Sequence, residues 1–72
     1  MNKEELTEEI YQTYEEVFKR TNELLDLLAV YLTPGLYENV RQQTIIRLKV
    51  TKEAIEEAQA KPEYLSVYVQ NL

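Results

Sequence analysis

Arg47 and Thr51 stand four residues apart, which on a helix sets a guanidinium and a hydroxyl on adjacent turns. A guanidinium meets phosphate oxygens with a planar fork of N–H donors, and a hydroxyl one turn away completes a grip on one phosphate. Both residues lie in RQQTIIRLKVTK, residues 41–52, which carries Arg41, Arg47, Lys49 and Lys52 and no carboxylate, although the chain has a net charge of −5. The segment is therefore the place to look for an anionic ligand. At helical spacing Arg41, Arg47, Thr44, Thr51 and Lys52 cannot all face one way. An enclosed site would need copies of the pair brought together at an oligomer axis.

Other chemistry has little to stand on. The chain has no His, Cys or Trp and a single Gly. Phosphate loops, dinucleotide fingerprints and nucleophile–His pairs are thereby excluded. The doublets Glu8/Glu9, Glu15/Glu16 and Glu56/Glu57 fall mainly off the apolar rows. A di-metal bundle places its carboxylates inward and adds Glu-x-x-His, so a solvated face is the expected role. Neither an enzyme, nor a metal site, nor a cofactor is expected.

The elements that must position the cations follow from punctuation. Pro34-Gly35 and Pro62 divide the chain, because Pro ends helices and biases its predecessor away from helical angles. The spacing predicts a helix over 3–32, a turn over 33–35, a second helix over 36–61 and a short C-terminal helix over 63–71, although Val67-Tyr68-Val69 would also suit a strand. In the first segment Ile10, Tyr14, Val17, Thr21, Leu24, Leu28 and Tyr31 advance in fours and threes, a heptad seam. Tyr11, Phe18, Leu25 and Leu32 run beside it, so the stripe is wide enough for two neighbours. Asn2 and Glu5 fit a capping box. A connection this short makes the helices antiparallel neighbours. The fold class is all-α: one domain, 1–72, a long antiparallel helical hairpin plus a short C-terminal helix, assembled as a homo-oligomeric helical bundle.

Assembly is expected from size. Seventy-two residues bury little, and with no Cys or His the disulfide and common zinc staples of small domains are gone. The tail, with Tyr64, Leu65, Tyr68, Val69 and Leu72, adds apolar side chains that a two-helix hairpin has little surface to cover. The acidic balance argues against DNA as a partner. No apolar run is long enough for a membrane span, and MNKEELTEE lacks a signal-peptide core, so the cytoplasm is the expected compartment.

Two roles compete for the cations. In an antiparallel hairpin, residues 41–52 lie opposite roughly 15–27, where Glu15, Glu16, Glu23 and Asp26 offer ion pairs. The alternative is a ligand. Six tyrosines against one Phe point the same two ways: Tyr suits cores and interface rims, and its ring stacks on nucleobases.

Leu-Thr-Glu-Glu-Ile at 6–10, a long amphipathic helix, a Pro-containing turn and a second helix ending Ala-Gln-Ala-Lys-Pro at 58–62 resemble the small phage anti-CBASS sponge proteins. The resemblance implies a helical protomer in a compact homo-oligomer. It implies pockets between protomers, lined by Tyr, Lys, Arg and Thr, that sequester a cyclic di- or trinucleotide immune signal. Tyr11, which follows Ile10, joins Arg47 and Thr51 as a candidate of the matching kind. The candidate ligand-binding set is thus Tyr11, Arg41, Arg47, Thr51 and Lys52. The rival expectation is a small adaptor, antirepressor or inhibitor that offers an amphipathic face to a host protein.

Overall fold

The computed structural model describes all 72 residues. Helix α1 spans Lys3–Tyr31 and α2 spans Pro34–Ala60. A 3₁₀ turn, Pro62–Tyr64, and a one-turn helix α3, Val67–Gln70, complete an all-α chain. The two long helices pack as an antiparallel hairpin.

Local chemistry sets the boundaries. Asn2 caps α1: its Oδ1 accepts from the Glu5 amide at 2.8 Å, and its Nδ2 donates to Glu5 Oε1 at 2.8 Å. Glu4 and Glu5 then sit at the positive end of the helix dipole. Leu32 and Thr33, both extended, make the turn. Pro34 opens α2 at a position where its missing N–H costs nothing; the Thr33 side chain makes no capping bond.

The face that α1 turns toward α2 takes part of each of the two rows that make up the wide apolar stripe. Leu25 is the single buried residue, 6% exposed, and Tyr11, Tyr14, Thr21, Leu28 and Leu32 are half-buried. The inward face therefore combines Tyr14, Thr21 and Leu28 with the neighbouring row of Tyr11, Leu25 and Leu32. Ile10, Val17, Leu24 and Tyr31 are left open, with Val17 49% and Leu24 53% exposed. From α2 the inward residues are Tyr37, Val40, Thr44, Leu48, Ile55 and Ala58. Thr44 and Thr51 return their hydroxyls to the carbonyls of Val40 and Arg47, at 2.8 and 2.7 Å. That local bond lets a polar residue occupy a helix interior.

The tail is broken where a continuous short helix was expected over 63–71. Leu65 is extended, and Ser66 restarts the chain by accepting from the Val69 amide at 3.3 Å. Gln70 Nε2 donates to the Leu65 carbonyl at 2.9 Å and closes the loop. The break turns Leu65 and Val69 toward the hairpin and leaves Tyr64, Val67, Tyr68 and Leu72 exposed.

The result is a rod of 49 × 20 × 15 Å. Its radius of gyration is 15.9 Å, against about 11 Å for a compact chain of this length. Its accessible surface is 5931 Å², against about 4,700 Å² for a folded monomer of the same mass. Replacement of Leu25 by Ala should lower unfolding free energy by about 2–3 kcal/mol, since the site is the best covered in the chain. Gly35 has a negative φ and open space where a Cβ would lie, so Gly35→Ala should raise it by about 0.5 kcal/mol. Urea midpoints of the two variants, moving in opposite directions, check both.

Candidate functional site

Two grooves flank the hairpin near its termini. The larger, about 730 Å³, lies between the start of α1, the end of α2 and the tail. Tyr11, Ala58, Leu65 and Val69 line it, with Lys3, Glu4 and Glu8 on its polar edge. The second, about 550 Å³, is lined by Tyr14, Val17, Leu48 and Thr51. Leu6, Ile10 and Ile55 line both and form the ridge between them.

Two tyrosine hydroxyls fix the relative height of the helices. Tyr14 donates to the Leu48 carbonyl at 3.0 Å, and Tyr11 donates to Gln59 Oε1 at 2.6 Å. The rings thereby bridge α1 and α2 with an apolar body and a polar tip, the combination that suits Tyr to a half-wet seam. Tyr14 also packs against Phe18, with ring centroids 6.4 Å apart.

The candidate ligand residues divide between two sides of the rod. Successive residues of a helix advance by about 100°. On that spacing Arg41 and Lys52 project to the side of Tyr11 and Gln59, while Arg47 and Thr51 project to the side of Val17 and Ile10. Thr51 lines the groove that Val17 lines, and Tyr11 lines the other, which agrees with that division. Arg47 and Thr51 do stand on adjacent turns, but the Thr51 hydroxyl already donates its single proton to the Arg47 backbone carbonyl at 2.7 Å and must turn from that bond to donate to a phosphate oxygen. None of Arg41, Arg47 and Lys52 lines either groove. No single protomer encloses an anion with the set.

The interhelical ion pairs considered from sequence are not formed. The two salt bridges are Arg20–Glu23 at 2.7 Å and Lys61–Glu57 at 3.5 Å, each within one helix. Arg41, Arg47, Lys49 and Lys52 have no carboxylate within salt-bridge distance. The reason is angular. Glu15, Glu16 and Glu23 are at the right height, but they project away from the seam with α2.

Sequence reasoning missed Gln59, the partner of Tyr11, and the part Leu65 and Val69 play in lining the larger groove. The i, i+4 spacing of Leu65 and Val69 is a signal for the second. A hydrogen bond spanning 48 residues leaves no local signal for the first. Comparison with known protein families, with characterised proteins and with solved structures yields no match.

Tyr14→Phe removes the half-buried bond to Leu48 and should cost about 1 kcal/mol. Tyr11→Phe should cost less, because Gln59 is exposed and water can take its place. Chemical denaturation of the two variants side by side gives the ranking.

Proposed function

We propose that the protein acts without catalysis, assembling with copies of itself into a helical bundle and sequestering a cyclic di- or trinucleotide signal between subunits. The observation that carries this reading is the set of four cations in residues 41–52 that no carboxylate of the chain neutralises. Their guanidinium and ammonium groups are free for phosphates, and exposed tyrosines supply rings for bases. One protomer presents these groups on open helix faces, so capture depends on a second subunit closing over the ligand. Stoichiometric capture needs no acid, base or nucleophile, only affinity. Such signals are cytosolic, so the reading sets the protein in the cytoplasm of a host cell. The resemblance of residues 6–10 and 58–62 to anti-CBASS sponges supports the same class of ligand.

The larger groove favours a second reading, a module that binds a host protein. It is apolar, open along one side and edged by Lys3, Glu4 and Glu8, which suits an amphipathic helix with a basic flank.

A thermal-shift panel of cyclic di- and trinucleotides separates the two. A ligand that binds only the folded state at a hundred times its Kd adds about 2.7 kcal/mol of stability. One member of the panel should raise Tm accordingly, and Arg47→Ala should remove the rise while leaving the native mass unchanged. A flat panel, together with retention of a host protein on the immobilised chain, would favour the module instead.

A further inference from the structure

We infer that two copies of this chain pair side by side and antiparallel, through the open row Ile10, Val17, Leu24 and Tyr31 of α1. The inference rests on the assembly part of the proposed function and adds its face, direction and register.

The row is a heptad repeat that the hairpin does not use. Its members recur every seven residues, stay on one side of α1, and are 40–84% exposed. At the turn end Leu27 and Val30, 70% and 90% exposed, add apolar surface on the face of α1 turned away from α2. A monomeric protein seldom leaves so long an apolar strip in water. The surface beyond that of a compact monomer, about 1,200 Å² per chain, exceeds the roughly 800 Å² that each partner contributes to an ordinary stable interface.

Charge sets the direction. The Tyr14–Leu48 and Tyr11–Gln59 bonds place residues 1–16 and 49–72 in one half of the rod and residues 17–48 in the other. The half with the termini holds ten carboxylates against four cations, a net −6. The half with the turn holds three carboxylates against four cations, a net +1. Parallel pairing would lay −6 against −6 along the seam. Antiparallel pairing lays −6 against +1 twice, and like charges in close array destabilise an interface.

Register follows from symmetry. A two-fold axis that maps the row onto itself sets Ile10 against Tyr31 of the partner subunit and Val17 against Leu24 of the partner subunit. The axis crosses α1 at residues 20 and 21. Antiparallel pairing also brings the terminal end of each rod, with the exposed Tyr64, Val67 and Tyr68, to the height of the partner's Leu27 and the partner's Val30. Arg47 and Thr51 face the same side as the row and border the seam in both copies. The two residues assigned to phosphate thus stand where a second subunit can close over a ligand.

The chain has no Cys, so introduced thiols report without background. Val17→Cys and Leu24→Cys, made separately, should form a mixed disulfide when combined under mild oxidation, several-fold in excess of either self-linked product. Two copies of Val17→Cys, offset along the axis by about seven residues or 10 Å, are too far apart to bridge. Preferential self-linking of Val17→Cys would establish parallel packing and overturn the inference. Leu24→Glu gives an independent check at an exposed position. It should reduce the native mass to that of one chain and lower Tm and helical circular dichroism at micromolar concentration, as coupled folding and association require, and an undiminished mass would equally overturn the inference. Both readouts are made without nucleotide, so a flat ligand panel bears on sequestration alone.

Discussion

A single line of contact between α1 and α2 governs everything else in this molecule. Two helices can touch along only one face each, and here that face buries one residue, Leu25, and half-buries about a dozen more. Hydrophobic stabilisation scales with apolar area removed from water, whereas the entropy of ordering grows with every residue fixed. A 72-residue hairpin with so narrow a seam is poorly placed to settle that balance alone. The hydrogen-bonding side of the ledger is in good order by contrast. Both long helices carry their backbone bonds through, and no buried side-chain nitrogen or oxygen lacks a partner. What the fold lacks is cover for its apolar side chains.

The charges are arranged around that shortage. The seam itself takes Tyr and Thr where space is half-wet: Tyr11 and Tyr14 reach across with hydroxyls, and Thr44 satisfies its own within α2. The ionic groups stand outside it. Cations of residues 41–52 project to three directions around α2, and the carboxylates of α1 at the same height point elsewhere. A helix pair of this kind has a charge pattern along its length, acidic toward the termini and near neutral toward the turn. It has little ion pairing across its width.

The helices and their turn were legible in the sequence because each has a local cause. Asn2 with Glu5, Pro34 after Thr33, and the four-three spacing of apolar residues each act within one or two turns. The choice of inward face was not legible. Rows 10/17/24, 14/21/28 and 11/18/25 are all largely apolar, and periodicity fixes the width of a stripe without telling which edge meets the partner helix. The break at Leu65-Ser66 escaped for a related reason. The apolar spacing of the tail continues across it, and the capping bond from Ser66 competes with the helix only locally. Ion pairs were inferred from height along the rod, which the sequence gives, without azimuth, which it gives only once the seam is known. The same gap separates Tyr11, Arg41 and Lys52 from Arg47 and Thr51. Five residues legible as phosphate- and base-binding types turn out to occupy two sides of one protomer.

The central claim is that this hairpin is stable only in company, and the dependence of its thermal unfolding on chain concentration tests it most directly. When folding and association are coupled, Tm rises with protein concentration by mass action. Scans from low-micromolar to millimolar chain, followed by helical circular dichroism, should show that rise. A Tm constant across the whole range, from a species of 8.6 kDa, would contradict the account, because the exposed row on α1 would then need no partner.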